Sequence, residues 1–329
     1  MSYVLYFAFL SDSYGTILGM VIRSKKKSHT LRKFIFILIV VCLGWFVVVK
    51  KINVPYPTRI ISPLPDTQSP NVISFFFGNK KNPDDLKRQL VNLIDTEWNN
   101  FSIYVKDLND DFELDINKSV IYTAASINKI PILAVLYYSA QKGEVNLDGT
   151  ITLQKDDIQD YGTGSIRYDT PGTVYSIKTL ARLMMQKSDN TAAYIIANHI
   201  LSVDTIQSLI NTWGLTQTDI INNKTSNNDM AILLEKIFHE KITNTALTQE
   251  MLSLLKDSDF EDRLPKLLPK GTNIYHKIGT EIGAVHDVGI IVSPKKSYYI
   301  GIFTSDITDE EQAADLEAKV SKAVYDFLN

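Results

Sequence analysis

Ser126 and Lys129, in the string Ser126-Ile127-Asn128-Lys129, fall one turn apart on the same face if the chain coils there. A serine hydroxyl is a poor nucleophile until a base takes its proton, and a desolvated lysine with a lowered pKa can do so. The chemistry offered is acyl transfer to a serine. Since a Ser-x-x-Lys string arises by chance about once in a chain of this size, it needs company.

Company follows in chain order. Ser188-Asp189-Asn190 lies between two helical patterns, where Ser188 can pass a proton and Asn190 can hold a substrate amide. Asp189 or Asn190 can equally cap the helix that starts near Thr191. Lys277-Ile278-Gly279-Thr280 reads as a strand, and Gly279 would let a substrate approach the strand edge and pair with its backbone. None of the three strings is specific alone; together they describe one site between two lobes.

The elements that must position them follow from periodicity. Helical spacing runs over Asp84–Trp98, Ser126–Gln141, Ser176–Lys187, Thr191–Leu201, Asp204–Trp213, Asp229–His239 and Asp309–Leu328. Strand patterns cover Phe101–Leu108, Phe112–Asp115, Asn273–Thr280, Val285–Val292 and Ser297–Thr304. Strands at both ends around a helical middle predict an α/β (α+β) fold. One antiparallel sheet would be built from the two termini and flanked by helices, with an all-helical lobe inserted.

With these residues in place, the chain resembles the class A β-lactamases and their relatives among the penicillin-binding proteins, which carry Ser-x-x-Lys, Ser-Asp-Asn and Lys-Thr-Gly elements. The likeness covers roughly residues 80–329 and continues through Thr191-Ala192-Ala193. It implies Ser126 as the acylated nucleophile, Lys129 as its base and Ser188 as the relay to the leaving nitrogen. It also implies Asn190, Lys277, Gly279 and Thr280 as substrate-binding residues, with an oxyanion hole from the N–H groups of Ser126 and Thr280. Neither a metal nor an organic cofactor is implied.

Two positions depart from that pattern. Ile278 stands where the family has a hydroxyl residue, leaving Thr280 to compensate. No glutamate occurs between Ser188 and Asp229, where class A enzymes carry the base that activates the deacylating water. Asp219, four residues before Asn223, is the only stand-in, and it also reads as a turn cap. Without a positioned base for water, acylation would be followed by slow release.

His276 and His286 lie on neighbouring strand patterns but lack metal-ligand spacing, so His286-Asp287 reads as a hydrogen-bonded strand feature. Tyr161-Gly162-Thr163-Gly164 reads as a loop at the rim of the site.

The 329 residues carry a formal net charge of -3, unevenly spread. Residues 1–72 hold nine Lys/Arg against two Asp/Glu, so residues 73–329 are strongly acidic, which argues against a nucleic-acid partner. Phe34–Val49 is a 16-residue run without a charge, flanked by Arg23, Lys25, Lys26, Lys27, Arg32 and Lys33. It covers about 24 Å, and Lys50 and Lys51 would snorkel to complete a span of about 30 Å. No small-residue cleavage site follows it, so an uncleaved single-pass anchor is expected, with the basic flank in the cytoplasm and the catalytic domain outside.

The expected organisation is a cytoplasmic basic segment 1–33, a transmembrane anchor 34–51, a proline-rich tether 52–72 and a hydrolase domain 73–329. Met20 opens the basic-then-apolar segment and is the expected physiological start. Cys42, the sole cysteine, lies in the apolar run, forms no intrachain disulfide, and follows residues too large for a lipidation site.

The sequence thus predicts a membrane-tethered serine hydrolase acting on a β-lactam through an acyl-serine. A D-alanyl-D-alanine peptidase of the cell wall is the alternative within enzymes. A β-lactam sensor or cell-wall-binding module without turnover is the alternative outside them.

Overall fold

In the computed structural model, which describes residues 81–95 and 97–329, the strands expected from the two ends of the domain join into one antiparallel sheet. The strands are β1 (Asn100–Asp107), β2 (Glu113–Ile116), β7 (Asn273–Glu281), β8 (Ala284–Val292) and β9 (Ser297–Ser305). Their order is β2-β1-β9-β8-β7, which leaves β7 at an edge. β1 pairs along its whole length with β9, Ile103 opposite Ile302 and Val105 opposite Ile300. β8 is buried at every position but its last, because helices cover both faces.

One face is covered by α1 (Pro83–Ile94) and α8 (Glu310–Leu328). Asn82 caps α1, Pro83 takes the first helical position where a missing N–H is harmless, and Leu86, Leu90 and Ile94 form its buried stripe. The helix stops at Ile94, four residues before the expected Trp98, and is ended by Asp95 in a left-handed conformation. α8 starts at its cap Asp309 and buries Leu316, Val320 and Val324 against Ile291, Ile300 and Ile302.

The other face meets the helical block: α2 (Lys129–Gln141), α3 (Ile177–Gln186), α4 (Asn190–Ile195), α5 (Val203–Thr212), α6 (Asn227–Phe238) and α7 (Thr245–Ser253). α2 runs through its centre, and from Lys129 to Tyr137 every residue is buried. Such a helix has no polar face because neighbours surround it. The helix expected over Thr191–Leu201 ends at Ile195 and continues as a π-helical turn, Ile196–Ile200.

Two small ladders complete the fold: β3 (Ile121–Thr123) with β6 (Lys224–Ser226), and β4 (Thr150–Thr152) with β5 (Val174–Ser176). Val72–Asn329 forms one compact unit. The anchor, tether and start-site expectations for residues 1–72, with Cys42, lie outside the described residues. Among the described residues no helix is long and apolar enough to cross a membrane.

Candidate active site

β3 delivers the chain to a 3-10 turn, Ala125–Asn128, that carries Ser126 and leads directly into α2 at Lys129. The expected helix from Ser126 therefore begins with a tighter turn, entered through Ala125 in a left-handed conformation. Backbone strain of this kind persists only where the surroundings over-determine it. Here Ala124 N–H donates to Asn223 O at 2.8 Å. His286 Nε2 lies 2.8 Å from Thr123 O just upstream.

β7 closes the other side of the turn. A Cβ on Gly279 would lie 2.9 Å from Ile127 Cγ1 and 3.0 Å from Ala124 O, so only glycine lets the strand come this close. Thr280 follows, exposed at the cleft, and Lys277 precedes it with its side chain buried.

The Lys129 amine is the hub. Its Nζ lies 2.9 Å from Ser126 Oγ, 2.6 Å from Ser188 O, 2.7 Å from Asn190 Oδ1 and 3.2 Å from Ser188 Oγ. Burial lowers its pKa to about 7, against the opposing pull of the Asp189 charge. A neutral amine has two N–H bonds and one lone pair. With the two N–H groups directed at Ser188 O and Asn190 Oδ1, the lone pair is left to accept the Ser126 proton.

Ser188 Oγ also accepts from Lys277 Nζ at 3.0 Å, so one hydroxyl lies between two amines. Burial, with Lys129 adding to it, holds the Lys277 pKa well below the usual lysine value. Lys277 donates its second bond to Ile278 O at 3.0 Å. Ile278 itself is buried, so the hydroxyl at this edge is Thr280.

The 188–190 turn is held rigidly. Ser188 is left-handed, and Asp189 caps α4 by accepting from Ala192 N at 3.0 Å. Asp189 Oδ2 also accepts from Ser165 N at 2.6 Å and Ile166 N at 2.9 Å. Asn190 Nδ2 donates to Tyr161 O at 3.0 Å, and Thr163 Oγ1 donates to Ser188 O at 2.9 Å. The rim loop read from the sequence is thus the brace of this turn. Gly164 faces Asp189 so closely that a Cβ would overlap its carboxyl group.

The structure therefore brings together Ser126, Lys129, Ser188, Asn190, Lys277, Gly279 and Thr280. Asp219 is placed elsewhere. Its carboxylate accepts from Asn222 N at 2.9 Å and Asn222 Nδ2 at 2.8 Å, closing the turn that leads into β6. Among the described hydrogen bonds it reaches none of Ser126, Lys129 or Ser188. Asn223 is the residue that touches the nucleophile turn, through Ala124 N and through Asn128 Nδ2 at 2.9 Å.

His276 and His286 have separate partners. His276 Nδ1 meets both oxygens of Asp287, at 2.9 and 3.0 Å. Burial lowers the His286 pKa to about 4, so this ring is neutral where it braces Thr123.

Sequence reasoning missed Arg263. Buried beside β7, it donates through Nη1 to Gly279 O at 3.1 Å and His286 O at 2.7 Å, and through Nη2 to Thr280 Oγ1 at 2.6 Å. A lone arginine in a loop carries no spacing signal.

A family model described as "Beta-lactamase enzyme family" matches residues 85–328. The β-lactamase VEB-1 of Pseudomonas aeruginosa is 22% identical over 284 residues, covering 76% of this chain and 92% of its own length. The solved structure of PBP-A superposes with a TM-score of 0.69 at 27% identity, covering 74% of this chain and 95% of that one. The TLA-3 extended-spectrum β-lactamase gives a TM-score of 0.69 at 21% identity, covering 75% of this chain and 99% of that one, and shares the fold.

Proposed function

Because the chain belongs to the beta-lactamase enzyme family, we propose that it is a serine hydrolase that opens a β-lactam amide through an acyl-Ser126 intermediate. The observation that carries this reading is the Lys129 amine, buried and 2.9 Å from Ser126 Oγ with its other neighbours arranged to receive its N–H bonds.

Lys129 Nζ takes the Ser126 proton as Oγ attacks the lactam carbonyl carbon. The oxyanion that forms is held by backbone N–H donors of Ser126 and Thr280, which the closeness of Gly279 to the nucleophile turn sets on either side of the reacting carbon. As the C–N bond breaks, Ser188 gives its proton to the leaving nitrogen and is reprotonated from the lysine side, where both amines lie within 3.2 Å of its hydroxyl. Asn190 presents its amide to the substrate. Thr280, backed by the Arg263 guanidinium, meets the substrate carboxylate in place of the hydroxyl that Ile278 lacks.

Release needs water and a base. Lys129 is the base against Ser126, and it must serve both halves of the reaction. A chromogenic β-lactam mixed with the full chain should give a burst of one equivalent followed by slower turnover, with mass spectrometry locating the adduct on Ser126. No adduct at any time would overturn the proposal. The placement of residues 73–329 outside a membrane, on a tether of residues 52–72, is proposed from the uncharged run Phe34–Val49 and the basic residues before it. Protection of the domain from external protease in intact cells would refute it.

A further inference from the structure

Between α7 and β7 the chain runs as a strap, residues 255–264, along the outer edge of β7. At its start Leu255 O accepts from His276 N at 2.8 Å. Midway, Glu261 Oε1 lies 3.5 Å from His276 Nε2, an ion-pair distance without a hydrogen bond, and accepts from Ser258 N at 3.0 Å. At its end Arg263 binds Gly279 O, His286 O and Thr280 Oγ1, and Leu264 N donates to Asp287 Oδ2 at 3.1 Å.

The strap also touches the opposite wall. Gln186, two residues before Ser188, accepts from Asp259 N at 3.0 Å and donates to Lys256 O at 3.1 Å. Lys187 pairs with Asp259 at 2.7 Å.

An open strand edge normally needs cover, and any loop would supply it. This one does so with a buried ion array. His276 and Asp287 are both buried, on paired strands, and the imidazole lies between the Asp287 and Glu261 carboxylates. Both Asp287 oxygens meet the ring, and Oδ2 also accepts from the strap backbone at Leu264 N, next to Arg263. α8 faces the same cluster with Glu317, fully buried, whose two carboxylate oxygens lack a hydrogen-bond partner. One turn further along α8, Ser321 Oγ donates to Leu264 O at 2.8 Å.

We propose that Glu261, His276 and Asp287 form a latch that fixes the strap and so places Arg263 against Thr280, making them positioning residues for recognition of the substrate's carboxylate. The inference rests on the acyl-serine reading of the same cleft. None of the three touches substrate.

The latch is ionic when His276 is protonated. Burial alone would depress that ring, but the charge and hydrogen bond of Asp287, together with Glu261, raise its pKa to about 9. A raised pKa means the interaction is complete below the ordinary histidine range near 6.5 and is lost as pH rises through about 9. The charged groups facing the ring are Asp287 from β8 and Glu261 from the strap. Asp262 and Arg263 of the strap and Glu317 of α8 lie around them, and Lys277 on the same strand as His276 feels the Asp287 charge.

The test uses Glu261→Gln, because Glu261 is half-exposed and its loss leaves no buried charge unpaired by design. Acylation is followed with a penicillin and with its methyl ester. The acid's half-saturation concentration should rise about tenfold in the variant, with its limiting rate and the ester's kinetics unchanged. In the wild type the preference for acid over ester should fade above about pH 9, and in His276→Asn it should be flat with pH.

Acid and ester kinetics shifting together, or neither shifting, overturns the latch. Amide hydrogen exchange over residues 255–264 at pH 7 reads the strap without any substrate: faster exchange in Glu261→Gln supports the latch, and equal protection overturns it. Failure of wild-type chain to be acylated by any β-lactam would strike the functional reading alone, leaving exchange to decide the strap.

Discussion

The two sides of Ser126 are built to different standards. Towards Ser188 and Lys277 the nucleophile meets buried amines, a left-handed serine and a braced turn, and the Lys129 and Lys277 amines and the Ser188 hydroxyl each have partners within 3.2 Å. Towards residues 214–224 it meets a short loop whose carboxylate, Asp219, closes its own turn. On that side Asn128 Oδ1 is buried without a hydrogen-bond partner. On the proposed acyl-serine reading, the groups that acylation uses are held in place on the first side, whereas the Asp219 carboxylate on the second is engaged by Asn222. The contrast separates two steps that class A chemistry usually supplies together.

The most severe way to break this asymmetry is to remove the base from the organised side. Lys129→Met keeps the apolar volume but not the amine, and the acylation rate should fall about 10³-fold. Stopped-flow measurement of the burst checks it, and a burst rate within tenfold of wild type would assign the base elsewhere. The same amine predicts the pH dependence. Its pKa is lowered to about 7, so below that it is protonated and cannot accept the Ser126 proton. The burst rate should fall about tenfold per unit as pH drops below 7 and level off above it. A rate that rises on acidification would contradict a lysine base.

A smaller effect is expected where the organised side depends on a missing side chain. Gly279→Ala introduces a Cβ against Ile127 and Ala124 O, pushing β7 away from the nucleophile turn. The burst rate should drop about tenfold while the thermal midpoint moves by only a few degrees. An unchanged rate would mean that Thr280 need not approach Ser126 so closely.

How much of this was visible beforehand depends on how local each signal is. The five sheet strands and the long helices carry their own periods, and the three motifs place themselves once those elements are drawn. The ladders β3–β6 and β4–β5 were not foreseen, because three residues hold no measurable period. The helix α7 was overlooked for a related reason: its stripe is short and buries only Thr248 and Met251.

Arg263 escaped because its partners are two backbone carbonyls and a hydroxyl reached through tertiary folding, which no spacing encodes. Asp219 shows the converse. A four-residue spacing from Asn223 suggested a pair of catalytic groups, but a turn of that length sends the two side chains in different directions. The asparagine reaches the nucleophile turn and the aspartate bonds with Asn222.

That divergence gives the finest test of the asymmetry. Asp219→Asn removes a carboxylate that a class A mechanism would place beside the water, and here it should change the acyl-enzyme lifetime by less than about twofold. Its cost should be confined to the turn, since the Asn222 N–H bond can be kept by an amide oxygen. Asn223→Ala removes the bond from Asn128 Nδ2, next to the nucleophile turn, where Asn128 Oδ1 already lacks a partner. Its acyl-enzyme lifetime should change more than that of Asp219→Asn, because it alters the turn carrying Ser126. Mass spectrometry of penicillin-labelled protein sampled over hours measures both lifetimes in one experiment. A lifetime lengthened by orders of magnitude in Asp219→Asn, with Asn223→Ala unaffected, would invert the comparison and place a working base on the side that here looks unfinished.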